Sequence, residues 1–238
     1  MSLKKIKMNV GKSTKPTDPQ EIFNKLTLRG SIENIWQPQA EALKNWHEKR
    51  TDRDIIVQMN TGGGKTLVGL LIAQSIVNET KGQVLYVCPN NQLVEQIEDC
   101  AREVGLAPAK RYKGAWNGRE DFEAGNTFCV TNYATVFHGF SIFRNNEIDA
   151  IIFDDAHVAE NTIRGQFTLK IAYDHEAFGK ILHLFRQHFN NSSQFERFED
   201  VSKGRFTSVL FVPMFIVWEH AQQLRATLID CNIPKETE

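Results

Sequence analysis

The sequence predicts an α/β fold in which a central parallel sheet is flanked by helices. Short apolar runs rich in β-branched and aromatic residues recur along the first 160 residues, and helix-length segments separate them. Strands that alternate with helices form βαβ units, whose strands are parallel. A glycine-rich loop also lies between one apolar run and the helix-length segment that follows it. In such sheets, ligands bind beyond the carboxyl ends of the strands.

Four apolar runs are predicted to be buried strands, because each is brief and rich in β-branched or aromatic residues. They are residues 55–57, 84–88, 128–131 and 150–153. Residues 66–79 and 91–104 have the length of helices and connect these strands. The alternating elements define a predicted domain at residues 19–160.

The two ends of the chain differ from this domain. Residues 1–18 hold five lysines and one acid without helical or strand periodicity, which predicts a flexible basic arm. Residues 161–238 are predicted to form a mostly helical extension, insertion or subdomain. Within it, residues 174–189 have the spacing of an amphipathic helix, residues 190–204 have the composition of a loop, and residues 213–231 have the length of another helix.

The composition excludes several classes of protein. The 28 basic residues are balanced by 29 acidic ones, so the chain is not a polycation that coats nucleic acid, although a local groove can still bind it. No apolar run approaches the ~18 residues of a membrane helix, and no apolar run follows the N-terminal lysines, which predicts a cytoplasmic protein without a membrane partner. The cysteines lie far apart, and the histidines share no metal-ligand spacing with cysteines or acids, so no transition-metal site is expected.

The strongest local signal is the loop Met59-Asn60-Thr61-Gly62-Gly63-Gly64-Lys65-Thr66. Glycines let backbone N–H groups approach phosphate oxygens, and the N-terminus of the following helix adds a favourable partial charge. Lys65 is predicted to reach the β- and γ-phosphates of ATP, and Thr66 to place its hydroxyl on Mg²⁺. The strict pattern of such loops has glycine in place of Met59, but the residues that touch the phosphates are unaffected.

The second signal is Asp154-Asp155-Ala156-His157, which directly follows the last predicted strand. A strand that ends in a carboxylate delivers it to the carboxyl edge of the sheet, so Asp154 is the predicted Mg²⁺ ligand. Adjacent acids at a strand end point in different directions. Asp155 is therefore predicted to face the γ-phosphate and to orient or deprotonate water.

Residues 59–66 and 154–157 together resemble motifs I and II of superfamily 2 helicases, the DEAD/DEAH-box and DExH group. The resemblance covers roughly residues 20–160 and implies the first of that family's two RecA-like domains, with ATP and Mg²⁺ as cofactors. It also implies that Gln39, in a stretch similar to the Q motif, reads the adenine edge. By the same resemblance, His157 relays the nucleotide state.

Further motifs of the family contact the nucleic-acid backbone. Pro89 and Asn90, after the second predicted strand, are similar to motif Ia. Thr131, after the third, is similar to the motif whose threonine makes the same kind of contact. The resemblance therefore implies DNA or RNA as a partner.

Two departures from the family pattern concern activity. Asp155 stands where the family usually has glutamate, and its side chain is one methylene shorter, which predicts slow hydrolysis. A Ser-Ala-Thr motif after motif II and a second RecA-like domain with its arginine finger are not found in the sequence. The chain is therefore expected to be an N-terminal fragment of a longer helicase, weak or inactive by itself.

Three functions remain open at this point. The first is an ATP-dependent nucleic-acid helicase or translocase, and the second is a nucleotide-gated nucleic-acid-binding module or scaffold with little hydrolysis. The third is a P-loop kinase or transferase. The histidine directly after the second motif disfavours the third function, and the sequence offers no acceptor pocket for it.

Overall fold

The computed structural model describes residues 15–205 and 209–231. The described residues divide into two compact units that meet between Thr168 and Leu169. Most of the predicted flexible arm lies outside the described residues. Its last residues pack against the first unit, because the carbonyl of Pro16 accepts a hydrogen bond from the side-chain amide of Asn78 at 2.7 Å, and Asp18 caps the first helix.

The first unit alternates helices with strands. Its twelve elements are, in chain order, α1 (Pro19–Lys25), α2 (Gln37–Lys49), α3 (Lys65–Thr80), β1 (Gln83–Cys88), α4 (Asn91–Glu103), β2 (Ala109–Tyr112), β3 (Ala115–Asn117), α5 (Arg119–Glu123), β4 (Cys129–Asn132), α6 (Tyr133–Val136), β5 (Ile148–Phe153) and α7 (Ala156–Gln166). Helix α7 continues across the predicted domain boundary after residue 160.

The five strands form one sheet in the order β3-β2-β4-β1-β5. Strand β1 lies parallel to both β4 and β5, and β2 lies parallel to β4. Strand β3 returns antiparallel to β2 as a short hairpin at the edge of the sheet. The predicted α/β fold with a mainly parallel sheet is confirmed. Strands β1, β4 and β5 correspond to three of the four predicted strands, and α3 and α4 to the two predicted helices.

The strand predicted at residues 55–57 is wrong. Residues 54–60 have no regular structure, although Ile55 and Val57 pack against the core. Ile56 lies between them and is 95% exposed. A strand exists only where a neighbour supplies the hydrogen bonds of a ladder, and no described strand pairs with this segment. Packing of Ile55 and Val57 against the core, without strand pairing, is what this apolar run provides.

Helix α3 lies at the centre of the first unit and sets the position of the glycine-rich loop. Ten of its sixteen residues are buried, so it is apolar on nearly all sides. It contacts α1, α2, α4 and the strands β1 and β5. No helix in the described ranges, α3 included, is long and apolar enough to cross a membrane. Burial on all sides fixes the helix, and therefore fixes where its N-terminus meets the sheet edge.

The second unit is helical, as expected. Its elements are α8 (Glu176–Phe189), α9 (Phe195–Ser202), α10 (Met214–Glu219) and α11 (Ala221–Asp230). The loop predicted at residues 190–204 is wrong, because α9 forms there. Phe198 of α9 is buried and stacks on Phe189 at 5.2 Å, so packing overrides the polar composition of the segment. The single helix suggested for residues 213–231 is two helices, which the non-helical backbone of His220 separates.

Candidate functional site

The glycine-rich loop lies directly before helix α3. Lys65 is the first residue of α3, and its N-cap, Gly64, has a left-handed backbone with φ +74°. Gly62 is also left-handed, with φ +79°. Residues with a Cβ rarely adopt this conformation, so the two glycines permit the tight path of the loop. The loop ends at the N-terminus of a long helix, where backbone N–H groups without helical partners suit a phosphate.

Gln39 holds this loop against helix α2. Its side chain is 5% exposed, and its Oε1 accepts a hydrogen bond from the backbone N–H of Trp36 at 2.9 Å. Its Nε2 donates to the carbonyl of Gly63 at 3.1 Å. A Cβ at Gly64 would lie 2.1 Å from that Nε2, so the contact requires glycine. The role of Gln39 in reading adenine stays a prediction, and it requires Gln39 to exchange these hydrogen bonds.

The acidic pair lies at the carboxyl end of β5, beside the loop. The backbone N–H of Asp154 donates to the carbonyl of Val87 at 2.8 Å, which extends the pairing of β5 with β1. Asp155 then turns into a left-handed backbone, with φ +52°, and starts α7. Its Oδ1 accepts a hydrogen bond from Nζ of Lys65 at 3.0 Å. Two predicted catalytic residues that are 90 positions apart in sequence are therefore in direct contact.

The surroundings of Asp154 raise the pKa of its carboxyl group. Burial is the largest cause, and the negative charge of Asp155 adds to it. A hydrogen bond from the Tyr86 hydroxyl and the positive charge of Lys65 act in the opposite direction. The hydroxyl of Tyr133 also donates to the backbone carbonyl of Asp154. Burial disfavours the charged carboxylate, so a bound cation would stabilise it.

A cavity of about 620 Å³ opens beside these groups. Residues of the glycine-rich loop and Asp154 contribute to its lining. Helix α4 and the segment before α2 contribute apolar residues, among them Ile32, Trp36, Leu93 and Ile97, and polar ones such as Glu33 and Gln96. Small-molecule sites commonly enclose about 300–1,000 Å³, with apolar walls and a few convergent polar groups. The cavity therefore has the size and the polarity of a site for a nucleotide.

The oxygen-bearing residues that line this cavity fit Mg²⁺. Thr66 and Asp154 both line the cavity, and hydroxyl and carboxylate oxygens are ligands that Mg²⁺ accepts. A Cβ built on Gly62 would have no heavy atom within 4 Å, so the loop leaves open space for phosphates and water. Mg²⁺ keeps several waters and takes one or two protein ligands besides the phosphates, as this donor set allows.

The other predicted nucleotide-site residues lie around this centre. Thr61 is exposed within the loop. His157 is exposed in the first turn of α7, two residues after Asp155. The structure thus brings Lys65 and Asp155 together, whereas His157 faces solvent.

The residues predicted to contact nucleic acid lie at the ends of the neighbouring strands β1 and β4. Pro89 is half-buried, and Asn90 is exposed and caps α4, where its Oδ1 accepts from the N–H of Leu93 at 3.0 Å. Thr131 is fully buried, and its hydroxyl donates to the carbonyl of Arg111 at 3.0 Å. Contact between Thr131 and a phosphate would require this side chain to leave the interior.

The sequence analysis missed two tyrosines that contact Asp154. Tyr86 lies inside β1, and Tyr133 is the first residue of α6. For Tyr86 the only signal in the sequence is a hydroxyl within an otherwise aliphatic run, because a buried tyrosine needs a hydrogen-bond partner. Tyr133 stands in a mostly polar stretch that carries no such signal. Gly69 gives Tyr86 its space: a Cβ at this position of α3 would lie 2.7 Å from Cε2 of the ring.

A glycine-rich loop at a helix N-terminus, beside an acidic pair at a strand end, defines a nucleotide-binding α/β domain of the P-loop class. Residues 33–195, more than half of the chain, match the family model described as "Type III restriction enzyme, res subunit", and the chain belongs to this family. The match confirms the resemblance to superfamily 2 helicases with a RecA-like ATP-binding domain. The family is one of helicase-like, ATP-dependent enzymes of nucleic acid. Comparisons with curated proteins and with solved structures give no significant match.

Proposed function

We propose that this chain is the ATP-binding domain of a helicase or translocase that hydrolyses ATP while it moves on DNA or RNA. The contact between Lys65 and Asp155 carries the proposal. It joins the lysine of the glycine-rich loop to the acid that follows β5, at the carboxyl edge of a mainly parallel sheet, where α/β proteins bind ligands. The family match supports the same class of enzyme.

Each residue of the site has a proposed role. Backbone N–H groups of Thr61, Gly62 and Gly64 hold the phosphates, and that of Gly63 joins them once it leaves the carbonyl of Asn60, to which it donates at 3.0 Å. Lys65 moves from Asp155 to the β- and γ-phosphates. Asp155 then accepts a proton from the water that attacks the γ-phosphorus, which releases ADP and phosphate.

Thr66 and Asp154, which both line the cavity, would hold Mg²⁺. When bound, Mg²⁺ neutralises charge on the β- and γ-phosphate oxygens. Asp154 supplies a carboxylate whose charge is poorly stabilised without a cation, because its pKa is raised mainly by burial. His157 lies two residues after Asp155 in the sequence. We assign to it the relay of the nucleotide state that the family resemblance implies.

Nucleic acid would bind along the ends of β1 and β4. Asn90 is exposed there and Pro89 is half-exposed, so both are accessible to a phosphate backbone. We retain Thr131 in this group on the condition that its hydroxyl exchanges the Arg111 carbonyl for a phosphate. A second RecA-like domain that closes over the nucleotide is also part of this proposal.

Calorimetric titration of Mg·ADP and of a slowly hydrolysed ATP analogue into the chain tests the proposal. Lys65→Ala should abolish saturable binding. Gln39→Ala should weaken binding of adenine nucleotides and reduce the preference for them over guanine nucleotides. Lys44→Ala is the matched control, because Lys44 is exposed on the same helix as Gln39 and does not line the cavity.

Two results would overturn the proposal. One is an absence of nucleotide binding by the unmodified chain that is shown to be folded by circular dichroism. The other is binding that Lys65→Ala leaves intact, because the lysine would then not contact the phosphates.

A second candidate is a nucleotide-gated nucleic-acid-binding module with little hydrolysis. The length of the Asp155 side chain favours it, since the family's usual glutamate reaches one methylene further. Asp155→Glu distinguishes the two functions when turnover is measured with nucleic acid and the proposed second RecA-like domain both present. A gain in turnover indicates an attenuated site, whereas a loss indicates a site already built around aspartate.

A further inference from the structure

Three metal-ligating side chains converge in the second unit, in a place that the nucleotide site does not involve. His188 lies in the last turn of α8, Glu219 ends α10, and His220 separates α10 from α11. The Nε2 atoms of the two histidines are 2.8 Å apart, and an Oε2 of Glu219 lies 3.9 Å from Nε2 of His188. One ligand atom from each residue falls within 4.8 Å of the others.

The hydrogen bonds around His220 define which of its nitrogens carries the proton. Its Nδ1 lies 2.7 Å from Oε1 of Gln223, one turn further along α11. An amide oxygen only accepts, so Nδ1 must donate, and neutral His220 therefore has a free electron pair on Nε2. Without a metal, Nε2–H of His188 must donate to that electron pair. The proton that the two histidines share therefore lies between their Nε2 atoms, where the three candidate ligand atoms converge.

We propose that His188, Glu219 and His220 bind a divalent zinc-type metal ion, which replaces this proton, with water as the fourth ligand. Two imidazoles and a carboxylate are a donor set that Zn²⁺ accepts in tetrahedral sites. Zn–N bonds of ~2.0–2.1 Å place two tetrahedral nitrogen ligands roughly 3.3 Å apart, so the rings need to separate by about half an ångström. The displaced proton of His188 moves to its own Nδ1.

The surroundings of the cluster have the features of a metal site. Gln223 orients His220 through the nitrogen that does not face the cluster, which is the usual arrangement around a metal-bound histidine. The ring of His220 also packs edge-on against Phe185, with centroids 6.0 Å apart. Glu219 is largely exposed, with 62% of its side chain accessible, and leaves a path for the ion from solvent.

The small hydrophobic core of the second unit gives a physical reason to expect a stabilising metal ion. Among the described residues of this unit, the hydrophobic core has four buried side chains, Phe185, Phe189, Phe198 and Ile216, with partly buried neighbours. Small units with so few buried residues commonly gain stability from a metal or a disulfide. A metal on His188 and His220 would link the end of α8 to the junction of α10 and α11. The site is therefore proposed to stabilise this unit.

Titration of Co²⁺ into the whole chain, followed by visible absorption, tests the proposal. Co²⁺ replaces Zn²⁺ in tetrahedral sites and gives visible bands that report its geometry. Excess Mg²⁺ keeps the proposed oxygen site at Thr66 and Asp154 filled. One equivalent of Co²⁺ is expected to bind, and Zn²⁺ is expected to displace it. No near-ultraviolet thiolate band is expected, because none of the three ligands is a cysteine.

Single substitutions distinguish metal binding at this cluster from metal binding at other histidines. His188→Ala and His220→Ala should each weaken binding more than ~100-fold, and Gln223→Ala, which removes only the orienting contact, about 10-fold. Glu219→Gln removes the carboxylate from an exposed position, so it leaves the fold intact while it weakens binding. His183→Ala is the matched control, because His183 is exposed on the same helix as His188 and lies outside the cluster.

A stability measurement gives an independent readout. Saturating Zn²⁺ should slow hydrogen exchange of the α8 amides in the unmodified chain and in His183→Ala, but not in His188→Ala. The proposal is overturned if His183→Ala weakens Co²⁺ binding as much as Glu219→Gln does, or if a thiolate band accompanies binding. It is equally overturned if the folded, unmodified chain binds no Co²⁺.

Discussion

Lys65 and Asp155 form an ion pair, with Nζ of the lysine 3.0 Å from Oδ1 of the aspartate. Both side chains are partly exposed, at 38% and 37% of their surface. A phosphate that enters the loop must therefore take Lys65 from Asp155, which leaves the carboxylate free. In the proposed reaction, the same exchange prepares the base when the substrate binds.

Asp155→Asn is expected to bind a slowly hydrolysed ATP analogue more tightly than the unmodified chain. The carboxylate competes with phosphate for Lys65 and repels the γ-phosphate, an interaction of about 1 kcal/mol in solvent, or roughly fivefold in affinity. Hydrolysis should be lost, while the free energy of unfolding changes by less than ~1 kcal/mol, because the ion pair is solvated. Calorimetry measures the affinity and urea denaturation the stability, while phosphate release in the presence of the proposed second domain measures hydrolysis.

The control for Asp155→Asn is Glu160→Gln, which removes an exposed carboxylate from the same helix, where it pairs with Arg164. This variant should leave nucleotide affinity unchanged. Weaker binding of the analogue by Asp155→Asn would contradict the competition for Lys65.

Asp154→Asn is expected to stabilise the fold at neutral pH while it removes the Mg²⁺ dependence of nucleotide binding. The pKa of Asp154 is raised, mainly by burial, so the folded chain holds this proton more tightly than the unfolded chain. The ionised carboxylate therefore destabilises the fold, fully so above its raised pKa, and this cost disappears as pH falls below the ordinary value of 3.8. Asparagine keeps an acceptor for Tyr86.

Urea denaturation of both chains from neutral to acidic pH measures the effect. The stability advantage of Asp154→Asn should shrink steadily as the solution becomes more acidic. A variant less stable than the unmodified chain at neutral pH would show that the carboxylate is well stabilised without a cation.

Gly62→Ala and Gly64→Ala form a matched pair that separates backbone strain from steric contact. Both positions have positive φ, so alanine at either costs about 1–2 kcal/mol. Only Gly64→Ala also places a Cβ against Gln39 and breaks its partly buried hydrogen bond to Gly63, which adds roughly 1–3 kcal/mol. Thermal denaturation should therefore give a larger decrease in Tm for Gly64→Ala. Equal decreases would mean that Gln39 does not hold the loop.

Phe198→Ala and Phe215→Ala test the small core of the second unit. Phe198 is 1% exposed and stacks on Phe189, whereas Phe215 is 71% exposed. Truncation at a buried phenylalanine costs about 3–5 kcal/mol, and an exposed substitution stays within ~0.5 kcal/mol. Hydrogen exchange of the amides of α8 measures the difference. Comparable exchange in the two variants would show that the four-residue core does not hold this unit together.

Local sequence signals predicted the elements that position the nucleotide site. Each of these elements is predicted by a pattern that lies within one continuous stretch of sequence. They are the glycine-rich loop, helix α3 and the strands β1, β4 and β5. The contact between Lys65 and Asp155 was not predicted, because it joins residues 90 positions apart and the segment before the loop is not a strand. The local elements themselves needed no knowledge of distant contacts.

Features that depend on distant contacts were not predicted. Residues 55–57 have the composition of a strand, but no described strand pairs with them. The sequence of α9 has a polar composition, and the helix forms because Phe198 is buried against Phe189. His188 and His220 are 32 positions apart, and only the packing of α8 against α11 brings them together. No local periodicity carries such information.

The contact between Gly69 and Tyr86 couples the residue types that can be accepted at these two positions during evolution. The tyrosine ring occupies the space that any side chain at position 69 would need, and its hydroxyl holds Asp154. A larger residue at position 69 is therefore tolerated only together with a smaller one at position 86, and that exchange removes a hydrogen bond from the proposed Mg²⁺ ligand. In homologous sequences, these two positions are expected to covary.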